Sequence, residues 1–197
     1  MKELGPASED DVVLAFLKAE IDSPKWGRKY SRALRDLNLD RVFLVDAADP
    51  TDARACEARR VLLGQVRGYG INRGLFTGFP RDTTWRRVEL APSDFRRLRS
   101  VSRDDRWSNL TRGTRLIEEA ARNNLGTYPE LAERVNIARQ RIEQGLPMAE
   151  LIMVENDVGD LILVEGHTRA TAYAMLADRS FQSFIGTSSL ISRWYFI

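Results

Sequence analysis

Apolar positions follow helical spacing through the first third of the chain and gather into strand-length blocks towards its end. Val13, Phe16, Leu17 and Ile21 lie three or four apart, which predicts a helix over 9–21 capped by Ser8, with Asp11 as its capping-box partner. Trp26, Tyr30, Leu34 and Leu37 repeat in the same way after Pro24, predicting a second helix whose aromatic stripe is core. Arg41 to Val45 is a short apolar run, and Asp49-Pro50-Thr51 opens a third helix over 52–67 that Gly68 stops. Glycines at 68, 70, 74 and 78, with Pro80, mark a connecting loop; no Gly-Lys-Ser/Thr follows them, so it is not a Walker loop.

The second half reads as a mixed unit. Trp85 to Leu90 has strand character, Pro92 to Phe95 a helical turn, and Leu98 to Val101 a further strand. Helices are expected over 114–123 and 129–144, the latter with Leu131, Val135, Ala138 and Ile142 on one side and Gly145 after it. Leu151–Val154 and Leu161–Val164 flank Asn156-Asp157-Val158-Gly159-Asp160, whose residues favour a tight turn, so they predict a hairpin. A helix from Thr168, a strand near Phe181–Ile185 and a short C-terminal helix with Ile191, Trp194 and Tyr195 complete the pattern. The fold class expected is α+β, a small mixed sheet with packed helices plus a helical N-terminal extension.

Charge changes this picture little. The formal net charge is +2, too small to make the whole chain an attractor of polyanions. Residues 81–141 hold fourteen arginines against nine acids, and Trp85 and Trp107 lie among them, which keeps a nucleic-acid surface with stacked bases as a second reading. The single cysteine, Cys56, falls in a helical stretch and reads as a buried thiol, unable to form an intrachain disulfide. No apolar run is long enough for a membrane span and no secretory signal pattern opens the chain, so a cytoplasmic protein is expected.

The chemistry concentrates at Glu165-Gly166-His167-Thr168-Arg169, where a buried strand hands over to a helix. Gly166 permits a sharp turn and close approach of a ligand. The first turn of the helix presents unpaired amides and the positive end of its dipole, which favour an anion. His167 and Thr168 add side-chain donors, and Arg169 adds a forked charge suited to phosphate. Glu165 beside a phosphate would bind Mg²⁺ or a hydroxyl, or else form an ion pair that orients Arg169.

This turn, after an apolar hairpin, resembles the ParB/sulfiredoxin superfamily, and in its Glu-Gly-His-Thr-Arg form most the free serine kinase branch. The resemblance covers roughly residues 85–184 and is specific at 165–170, dividing the chain into a helical region, 1–80, and a nucleotide-binding domain, 81–197. It implies that Gly166, His167, Thr168 and Arg169 hold the phosphates of ATP, ADP or CTP, with Mg²⁺, in a kinase or nucleotidase acting on a small hydroxyl-bearing substrate. It also implies a catalytic carboxylate, for which Glu165, Asp104, Asp105, Glu118 and Glu119 are candidates. The sulfiredoxin branch has a cysteine in this turn and the ParB branch a helix-turn-helix after it; neither is found in this sequence. A DNA-associated ParB-like factor or nuclease, and a non-catalytic nucleotide sensor, are the alternatives.

Overall fold

Strands β4 (Leu151–Glu155) and β5 (Leu161–Glu165) are buried along nearly their whole length, and their side chains alternate between two cores. Ile152, Val154, Ile162 and Val164 enter one core; Leu151, Met153, Leu161 and Leu163 enter the other. A strand covered on both faces needs apolar residues at every position rather than every second one, which is why these runs read as continuous. The computed structural model describes all residues except Arg103, Asn124, Ala177 and Tyr195; Tyr195, expected in a C-terminal helix, lies outside the described residues.

The sheet has six strands. With β1 (Lys2–Ala7), β2 (Thr84–Leu90), β3 (Leu98–Ser100) and β6 (Phe181–Thr187), its order is β1-β2-β6-β4-β5-β3. Pairs β4–β6 and β3–β5 are parallel and the others antiparallel, so the sheet is mixed. The expected hairpin forms, with Asn156 Oδ1 accepting the amides of Val158 and Asp160 across its turn.

Helices α1 (Glu9–Glu20), α2 (Gly27–Asp36) and α3 (Ala53–Arg67) cover one face of the sheet. The capping box of α1 is present, Ser8 and Asp11 exchanging bonds, and Gly68 ends α3 in the left-handed conformation at φ 89°. The other face packs against α4 (Asp105–Leu110), α5 (Ile117–Arg122), α6 (Pro129–Glu143) and α7 (His167–Met175). The N-terminal helices and the later ones therefore sandwich one sheet.

Several elements differ from expectation. β1 was not foreseen: Gly5 and Pro6 argue against a strand, but an edge strand tolerates both, and its pairing with β2 is long-range. α2 starts at Gly27 instead of Pro24, and α7 at His167, one residue before Thr168. Val42–Asp46 forms a wide helical turn, and α4, also unforeseen, separates β3 from α5. Among the described residues no helix is long and apolar enough to cross a membrane.

Candidate functional site

Parallel strands β3 and β5 end side by side, at Ser100 and Glu165, and a cleft of about 930 Å³ opens beyond them. In open α/β sheets ligands bind beyond the carboxyl ends of parallel strands, which is where this cleft lies relative to β3 and β5. One wall carries Glu20 and Arg67, from the ends of α1 and α3, with Lys25 and Trp26 from the loop between α1 and α2. The other carries Asp104 to Trp107, Arg134 and Arg141 of α6, and the whole turn from Glu165 to Arg169.

Gly166 is the N-cap of α7, at φ 106°. A Cβ there would run into Leu151 Cδ2 and come within 3.1 Å of Arg169 Nη2, so backbone conformation and space both require glycine. No side chain caps this helix and its first turn holds no acid, in contrast to α1 and α3, capped by Ser8 and Asp52. The first bond inside α7 runs from Ala170 N to Gly166 O, so the amides of His167, Thr168 and Arg169 are left for other partners.

Arg169 folds back over the same tip. Its Nη2 donates to Glu150 O at 3.3 Å and faces Glu165 Oε1 at 3.7 Å, while its buried Nε has no partner. Both roles considered for Glu165 thus remain open to it, since it pairs with Arg169 and lines the cleft. His167 Nε2 accepts the Val101 amide at 3.3 Å, which leaves Nδ1 to carry the proton of the neutral ring. Burial pushes the imidazole down to about 4, against the opposing pull of Glu165 and Asp104, so at neutral pH it is a neutral donor. Trp107 lies beside it, with ring centroids 5.7 Å apart.

Glu20 was not among the expected residues. It is 1% exposed, at the floor of the cleft. Its Oε2 accepts the Tyr30 hydroxyl at 2.8 Å and faces Arg67 Nε at 3.5 Å; Oε1 receives no donor. Glu165 lines the same cleft, and its charge acts on Glu20. Burial first, and then the charge of Glu165, push Glu20 up to about 8, so near neutrality the Glu20 carboxyl is largely protonated. A signal for Glu20 existed: it shares the α1 face of Val13, Phe16 and Leu17, and a charge on an apolar face is a candidate for a buried functional group. Arg67 also stacks on Trp26, its guanidinium carbon 3.9 Å from the ring centre, so Trp26 stands at the cleft and Tyr30 in the core.

The remaining candidates separate. Asp104 caps α4 and takes a two-pronged bond from Arg106 at 2.9 and 2.5 Å; burial works to raise this carboxyl, but Arg106 holds it below its ordinary value. Asp105 is exposed on the cleft wall. Glu118 pairs with Arg122 and Glu119 with the Thr114 hydroxyl, and neither reaches the cleft. Trp85 and Trp107, which the nucleic-acid reading would have stack on bases, are buried, at 9% and 3% exposure, Trp85 in the core and Trp107 in the cleft wall beside His167, so neither presents an exposed ring. Cys56 is buried as expected, with Sγ directed at Pro50 O at 3.2 Å.

Compared with known proteins, the chain matches no family model, no curated protein and no solved structure.

Proposed function

We propose that the chain binds the phosphates of a nucleotide at the tip of α7 and transfers a phosphoryl group to a small hydroxyl-bearing substrate or to water. ATP, ADP and CTP are the candidates, as the resemblance of the turn to the ParB/sulfiredoxin superfamily suggests. The supporting observation is convergence: three uncommitted amides, the Arg169 fork, a neutral His167 donor, the buried Glu20 carboxyl and the half-buried Glu165 all line one cleft. Phosphoryl transfer asks mainly for positioning and charge neutralisation, which is what these groups supply.

In this reading the His167, Thr168 and Arg169 amides and His167 Nδ1–H hold phosphate oxygens, and Arg169 offsets their charge. Glu165 would hold Mg²⁺. Among the described residues no group of three or more acids, histidines or cysteines gathers around a metal position, but Mg²⁺ commonly takes one or two carboxylates and completes its shell with water and phosphate. When bound, it would neutralise charge on the phosphates. In its ionised form, whose share grows as pH rises towards 8, Glu20 takes the proton of the attacking hydroxyl while the oxygen–phosphorus bond forms and the bond to the leaving phosphate breaks. A carboxyl raised towards neutrality suits that role.

The nucleic-acid reading gains less support. Arg86 and Arg97 are committed to Glu155, Arg99 to Asp160 and Arg106 to Asp104, so much of the arginine-rich segment is neutralised within the protein.

The test is thermal. A nucleotide at a hundred times its Kd stabilises by about 2.7 kcal/mol, a rise of roughly 5–11 °C for a chain of this size. We expect that rise with ATP, ADP or CTP and Mg²⁺, its loss in Arg169→Ala, and phosphate release with a panel of small hydroxyl compounds. Melting curves unmoved by every nucleotide would refute the proposal. Binding with no turnover would favour the sensor.

A further inference from the structure

Four cations face the cleft without a carboxylate partner among the described residues: Lys18 on α1, Lys25 before α2, and Arg134 and Arg141 on α6. The sequence pattern gave them no role. Arg134 and Arg141 are seven residues apart, so two turns of α6 present both to one side, and buried Ala138 lies between them. Arg134 Nε donates to Glu130 O on its own helix at 3.2 Å. Burial weighs first against the charged Lys25; Asp104 is the largest charge acting in its favour, and Arg106, Arg67 and Arg134 act against it as like charges. The acids on these walls are mostly engaged elsewhere: Asp22 with Arg41 at 2.7 Å, Asp104 with Arg106, Glu20 with Tyr30 and Arg67.

Like charges gathered on concave walls repel one another and are relieved by an anion. The tip of α7 opens into the same cleft, so one extended anion meets both. We propose that Lys25, Arg134 and Arg141 bind the distal phosphates of a nucleoside di- or triphosphate whose first phosphate sits on the α7 tip. This rests on the nucleotide reading above and deepens it: the ligand is a polyphosphate and not a monophosphate. Arg134 and Arg141 act as phosphate-positioning forks, and Lys25 as a point charge across from them.

The experiment compares AMP, ADP and ATP by calorimetry in EDTA, with tripolyphosphate as a probe lacking the nucleoside. Arg134 and Arg141 are surface residues of α6, so Arg134→Gln/Arg141→Gln is expected to fold; Lys25→Gln is an independent variant on the facing wall. In the wild type, affinity should climb at least about tenfold from AMP to ATP, the scale of one charge-assisted bond. The double variant should flatten that climb while leaving AMP affinity unchanged, whereas Arg169→Ala should weaken all three ligands. An equal climb in wild type and double variant would overturn the proposal, even with nucleotide binding intact. If tripolyphosphate binds the wild type and not the double variant while no nucleotide binds, the cationic walls stand and the nucleotide reading falls. If nothing binds, both fall.

Discussion

Replacing Glu20 by Gln removes one ionisable group from the protein's interior while keeping its size and its acceptor for Tyr30. Glu20 titrates at about 8 in the folded chain, against 4.5 for an ordinary glutamate. A carboxyl raised on folding contributes stability that is complete below its unfolded value and is lost as pH rises through the folded one. His167 acts in the opposite sense: its folded value is about 4 against 6.5, so its contribution is complete above 6.5 and is lost as pH falls towards 4. The two slopes oppose each other between 4.5 and 6.5, and above 6.5 that of Glu20 stands alone. Over the 1.5 units from 6.5 to 8, at about 1.4 kcal/mol per unit, wild type should lose about 2 kcal/mol relative to Glu20→Gln. The assay is urea unfolding at closely spaced pH values in EDTA, with stability extrapolated to water. Parallel wild-type and Glu20→Gln curves across this window would show that Glu20 carries no buried proton, and the reading of the raised carboxyl would fail.

Other outcomes follow from the same geometry. Tyr30→Phe deletes a bond that favours the ionised form of Glu20, so it should extend the stability loss to higher pH and cost about 1–3 kcal/mol, read by the same titration. Gly166→Ala meets both a positive φ and Leu151, and should destabilise by about 1–3 kcal/mol or more in chemical denaturation while abolishing the nucleotide-induced rise in Tm. Cys56, buried and with its thiol pushed up first by burial, should react with a thiol reagent in denaturant and resist it in buffer; rapid native labelling would contradict that.

The sequence was most informative where a signal is local. The capping box of α1, the Asp52 cap and Gly68 stop of α3, and the Asn156–Asp160 turn each depend on residues a few positions apart. The turn at 165–169 was legible for the same reason. What escaped depends on distance along the chain. β1 owes its existence to β2, some eighty residues later, and Glu20 becomes part of the cleft because the sandwich brings α1 against the end of β5. Arg67 looked like an ordinary basic last turn of α3, yet it is stacked on Trp26 and aimed at Glu20. The cationic walls escaped because Lys25, Arg134 and Arg141 come together across layers of the fold.

The central claim is that an anion rests on the first turn of α7. The most direct measurement is an amide NMR titration with ADP, following backbone resonances of the ¹⁵N-labelled protein. The largest and saturable shifts should belong to His167, Thr168 and Arg169, and they should vanish in Arg169→Ala. Shifts confined to other segments, or a spectrum that ADP leaves unchanged, would contradict the account.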